Sequence, residues 1–224
     1  MRYLASNSLS GRVSAALTRL RNSTDGVAAV EFALIVPIMA ALLIGTIGLT
    51  QAITVDRRVT QVATTTGDLV ARADGTIYEI EKASKADSVT NNILDVMRVG
   101  SWLLAPYNAA SLNVTISVVT SNIDNENIRR TKWRCTFDGA NPNAVTCTCP
   151  NTIVTIPNGL VGRGDSVVVA EVEYGYRPML FDHFLKNSMS SSGGVYTISE
   201  RVYLKPRAAC PRLEQADDTI CGCS

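Results

Sequence analysis

The chain is poor in the side chains that most enzymes use. It has one histidine in 224 residues, so it offers no histidine cluster for a metal, and a Ser-His-Asp arrangement would depend on His183 alone. "FDHF" sets Asp182 beside His183, but adjacency in sequence does not orient an imidazole ring. There is no G-x-S-x-G elbow and no phosphate-cradling glycine loop; "GRGD" at 162–165 reads as a turn before a strand. Charged residues make up only 18% of the chain and the net charge is +1. No basic patch interleaved with aromatics is visible, which excludes a nucleic-acid groove. The expectation is a protein that is not an enzyme, with no cofactor, no metal, no small-molecule substrate and no nucleic-acid partner.

Charge is missing altogether between Glu31 and Asp56. The run Val27–Val55 therefore carries a single carboxylate, and it exceeds the roughly 20 helical residues that cross a bilayer core. A cleaved secretory signal also follows a basic segment, but its apolar core is only about 7–15 residues and ends in a small-residue cut site. This run is too long and no clear A-x-A site follows it, so membrane lipid is the expected surrounding.

Arg2, Arg12, Arg19 and Arg21 precede the run, against Asp25, which keeps the amino end cytoplasmic. Arg57 and Arg58 oppose this, offset in part by Asp56. The cysteines decide between the two. Cys135, Cys147, Cys149, Cys210, Cys221 and Cys223 all lie beyond the run, an even number suited to disulfides in an oxidising compartment. Zinc is the other use of "CTC" and "CGC", but one-residue spacing departs from the usual ligand spacing. The pairing stays open, with a tail stapled to the 135–149 region the attractive case.

After Val55 apolar and small residues recur at three- and four-residue steps, so the helix is predicted to continue to about Arg72. "DG" at 74–75 breaks it. Ile77, Ile80, Val89, Ile93, Val96 and Met97 predict a second helix closed by Gly100. From Leu112 the period becomes two: Leu112–Val118, Thr131–Phe137, "SVVVAEVEYGYRP" and "VYTISERVYLK" read as strands, with "DGANPN" as a turn. Glu171 and Glu173 share a strand face, read as a solvated side opposite Arg201 or Lys205 rather than an acid pair. "RGD" at 163–165 and the sequon "NVT" at 113–115 are too short to weigh. The fold class is α+β: a long amino-terminal membrane-spanning helix, a second helix and a mainly antiparallel sheet. The predicted segments are a basic cytoplasmic leader at 1–26, a membrane helix at 27–55, a helical stalk and second helix at 56–100, an exported β-rich domain at 101–209 and a cysteine-rich tail at 210–224.

Glu31 remains to be explained. A carboxylate deep in a bilayer costs a few kcal/mol, and less when it snorkels to the interface. Snorkelling is one reading. The other uses the preceding glycine: a cut after Gly26 would make Val27 the new terminus, its ammonium about 6 Å along the helix axis from Glu31. In hydrocarbon such charges favour pairing, within one chain or between neighbours.

Gly26, four small or apolar residues, then Glu31 and Phe32 resemble the prepilin-peptidase site of type IV pilin-like proteins. The wider "GVAAVEFALIVPIMAALLIG", with Pro37, is similar to the TadE/TadG-like pseudopilins of tight-adherence (Flp) pilus systems, and "VVVAEVEYGYRPML" resembles a late segment of that family. The resemblance implies a pilin-like, TadE-like member: a single-pass bacterial inner-membrane protein that helps assemble an adhesive pilus, as a minor subunit, primer or tip. It implies Gly26 before the cut, Val27 as the mature start, and Glu31 as the helix-pairing charge. Its implied partners are a prepilin peptidase, other Tad pilins and pseudopilins, and the assembly platform. The alternative is a membrane-anchored exported binding module or adhesin outside any pilus.

Overall fold

The computed structural model describes residues 26–73, 75–81, 92–125, 127–178, 195–207 and 210–222. Asp182, His183 and Cys223 lie outside the described residues, as does all of the proposed leader except Gly26. The chain divides into two compact units at Leu49 and Thr50.

In the first unit, helix α1 begins. It spans Val27–Arg72 without a break. The sequence predicts this length: the apolar run supplies the first part and a three-to-four spacing of small and β-branched residues supplies the rest. Pro37 lies inside the helix. Having no N–H, it leaves the Ala33 carbonyl without its usual helical donor.

In the second unit, the remainder of α1 carries a buried stripe of Val55, Val59, Val62, Ala63, Thr66 and Val70. The Thr66 hydroxyl, wholly buried, donates to the Val62 carbonyl at 2.7 Å and so avoids the cost of an unpaired polar group. A side chain at Gly67 would run into Leu204 and approach Ala170, so this position holds helix and sheet in close contact.

The sheet order is β4-β3-β2-β6-β7, with β5 beside β3. Its strands are β2 (Leu112–Ser121), β3 (Arg129–Asp138), β4 (Val145–Thr148), β5 (Thr152–Ile153), β6 (Ser166–Tyr176) and β7 (Tyr196–Leu204), all paired antiparallel. One face presents Val114, Ile116, Val118, Trp133, Phe137, Val168, Ala170 and Val172 to the core that α1 completes. On β6 the expected face from Val168 to Tyr176 is buried. Val167 and Val169 are buried as well, in a second cluster with Val119, Ile156 and Val161. That half of β6 is covered on both sides, which a period-two reading does not anticipate. Glu171 does face Arg201 across β6 and β7, at 2.6 Å, while Lys205 pairs instead with Asp165 at 3.0 Å.

Two expectations are corrected. The second helix does not start at Ile77. Thr76–Tyr78 is a strand, β1, paired in parallel with β8 (Arg212–Glu214), which pairs in turn with β9 (Ile220–Cys221). Residues of the carboxyl tail occupy the backbone bonds of Ile77 and Tyr78, so a distant strand overrides the local helical spacing. Helix α2 is Ile93–Leu103, capped by the Asn92 side chain, whose Oδ1 accepts from Leu94 N at 2.9 Å. It therefore passes through Gly100, the residue expected to end it. Residues after 210 pack into the same unit: Leu213 is wholly buried in the main core, and the Trp133 indole donates to the Pro211 carbonyl at 2.8 Å.

Candidate assembly helix

The residues singled out in the sequence fall at the start of α1. Gly26 immediately precedes the helix, is exposed, and has no atom within 4 Å of where a Cβ would sit. Val27 is the first residue of the helix and is exposed. Among the described residues nothing covers the Gly26–Val27 peptide. Glu31 is exposed one turn further on, and Phe32 beside it is 71% exposed. Leu34, Ile38, Met39, Leu42 and Leu43 are exposed too.

A run of large exposed aliphatics is unfavourable in water, at about 25 cal/mol per Å² of apolar surface. It is what a hydrocarbon surrounding requires. So is the treatment of the polar groups: the Thr46 hydroxyl donates to the Leu43 carbonyl at 2.9 Å and that of Thr54 to Thr50 at 2.8 Å. In a bilayer such groups must be satisfied within the helix. By length and composition α1 is able to cross a membrane, and among the described residues it is the one helix that is. Single-pass anchoring is compatible with it.

Residues 26–68 match the family model of TadE-like proteins. Over these residues the chain is similar to TadE-like proteins. The match opens at Gly26 and closes at Asp68, so it takes in the exposed apolar part of α1 and the buried stripe as far as Thr66. The late strand noted for its resemblance lies outside the matched residues, as do all the cysteines. No curated protein and no solved structure matches the chain.

Beyond the TadE-like helix, disulfides order the second unit. Cys135 is bonded to Cys147, its cross-strand partner on β3 and β4. Cys149 is bonded to Cys221 across 72 residues, tying β9 to the end of β4. Cys210 is also disulfide-bonded.

Sequence reasoning passed over two side chains that hold this region. Glu79 accepts from Cys147 N at 3.2 Å and from Ala216 N at 3.0 Å, so one carboxylate spans strand and tail. Arg98 ties α2 to the expected turn, donating to the Pro142 carbonyl at 2.8 Å and to Asn143 Oδ1 at 3.1 Å. Neither belongs to a motif; Arg98 also pairs with Asp95 one turn back on α2 at 3.0 Å, but the bonds that join distant segments come only from their tertiary approach.

Proposed function

We propose that this chain is a non-catalytic, pseudopilin-like component of Tad (Flp) pilus assembly, serving as a minor subunit, primer or tip. A single helix anchors it in a bacterial inner membrane. The amino end is cytoplasmic, as the four early arginines favour, and the cysteine-bearing unit is exported to an oxidising space. The observation that carries this reading is the TadE-like helix itself, apolar and exposed, with one carboxylate a turn from its start.

In this reading a prepilin peptidase cuts between Gly26 and Val27. The new ammonium and Glu31, on this chain or a neighbour, then form a pair that hydrocarbon strengthens. Other Tad pilins and the assembly platform are the partners of the exposed helix.

Amino-terminal sequencing of the membrane-extracted protein tests the cut. A start at Val27 supports it, and a start at Met1 or Arg2 leaves an uncut anchor. Glu31→Ala tests the charge: fibre assembly should be lost while insertion persists. Unchanged assembly would refute the pairing role.

A further inference from the structure

The exported unit has an exposed tryptophan at a position that the register of its two helices defines. Trp102, near the end of α2, is 73% exposed. Trp133 is wholly buried, with its indole N–H bonded. On α2, a Cβ at Gly100 would meet Val62 of α1 at 2.9 Å, and the Leu103 carbonyl accepts from Arg58 Nη1 at 2.9 Å. Moving forward from 100 to 103 on α2 thus moves back from 62 to 58 on α1. Helix α2 runs antiparallel to α1, its carboxyl end directed toward the place where the apolar run stops at Val55. From Arg58 back to Val55 is about 4.5 Å of helix rise.

The segment at that level is unusual for a surface. No charged residue lies between Arg98 and Asp124, yet Trp102, Ala105 and Pro106 are exposed. Leu104 beneath them and Val55 of α1 share one core cluster. Along α1, where the apolar run stops, Ile53 is exposed and is followed by the exposed charges Asp56 and Arg57. This sequence of groups, apolar, aromatic and then cationic, is the one that bilayer interfaces select. An indole buries its ring at headgroup depth and keeps its N–H wet, and arginine meets lipid phosphate.

We infer that the end of α2 and the loop after it rest in the headgroup layer of the outer leaflet, with Trp102 as the interfacial anchor and Arg57, just past the end of the apolar run on α1, as a phosphate contact. This rests on α1 spanning the membrane, as proposed above. The contact would fix how the exported unit sits on the bilayer before any fibre forms.

The test uses the full chain reconstituted into phosphatidylglycerol-containing vesicles. Trp102→Phe changes an exposed side chain and leaves the core intact, so the difference in emission between wild type and variant is the Trp102 signal. Most of that signal should be lost when the lipids are brominated near the carbonyl end of their chains. Less should be lost with bromine near the methyl end, and acrylamide should quench it weakly. Carbonate extraction monitors α1 separately: release from the vesicles would sink the membrane-spanning reading itself. Retention with a Trp102 signal that neither brominated lipid quenches would overturn this inference alone. Exposure to acrylamide would then mean that the loop stands in water; shielding from it would mean that another protein surface covers it.

Discussion

The Arg58 guanidinium donates to the Leu103 carbonyl at 2.9 Å, placing a cation at the carboxyl end of α2. The last carbonyls of a helix lack intrahelical donors and carry partial negative charge, so a cation there both satisfies and stabilises them. This gives Arg58 a structural reason to sit just beyond the apolar run, where a basic residue weakens the charge bias that orients a membrane helix. Arg58→Met should lower the stability of the full chain in detergent by about 1–2 kcal/mol, read as a fall in thermal midpoint. Arg58→Lys should recover part of it. An unchanged midpoint in Arg58→Met would show that water replaces the guanidinium at no cost.

At Gly100 α2 lies close against α1, its missing Cβ leaving room for Val62 Cγ1. Gly100→Ala gains helix propensity but overpacks the contact, and the expected net effect is a loss of about 1–3 kcal/mol. Val62→Ala should partly relieve it, so the double variant is more stable than the sum of the single changes predicts. Strict additivity in a denaturant-unfolding cycle would mean that the helices do not share this contact.

The Cys149–Cys221 bond closes a loop of 72 residues, for which chain entropy alone gives about 4 kcal/mol of stabilisation. Replacing both cysteines with alanine should loosen β8 and β9 first, exposing the tail to limited proteolysis after Cys210 while the larger sheet survives. Because β8 pairs with β1, the segment at Ile77 should lose hydrogen-exchange protection with it. Protection at Ile77 that survives the change would separate the two.

Tyr174 lies in the core face of β6, and its phenol is pushed above the ordinary value by burial first, then by the neighbouring Tyr107 and Tyr176 phenols. A phenol raised in the fold holds its proton more tightly there than in the unfolded chain. Its contribution is therefore complete below the unfolded value near 10 and is lost as pH rises through the raised one. Alkaline unfolding followed by tyrosinate absorbance should show a delayed fraction that appears with loss of structure. Tyr174→Phe should remove that fraction and make stability less dependent on pH above this point.

Much of this architecture is written locally. The charge-free run and the three-to-four spacing after it predict one helix ending near Arg72, and α1 ends there, because helical periodicity needs only near neighbours. The strand at Leu112 follows from alternation in the same way, whereas the choice of Arg201 over Lys205 as the partner of Glu171 is set by the β6–β7 register. Gly26, Val27 and Glu31 are legible because they lie within six residues of sequence and fall on the open start of one helix.

Ile77, Glu79 and Val169 are different. Ile77 reads as helix and is strand because β8, more than a hundred residues away, supplies its ladder. Glu79 gains its purpose from Cys147 and Ala216, and Val169 is buried because a loop bearing Ile156 and Val161 covers the second face of β6. The apolar helix and its lone carboxylate were determined by the sequence alone, since solvent preference and helix period are local properties. Which segments pair, which disulfides close and which end of α2 lies beside Arg58 were decided by tertiary structure, because those bonds join residues that chain order does not bring together.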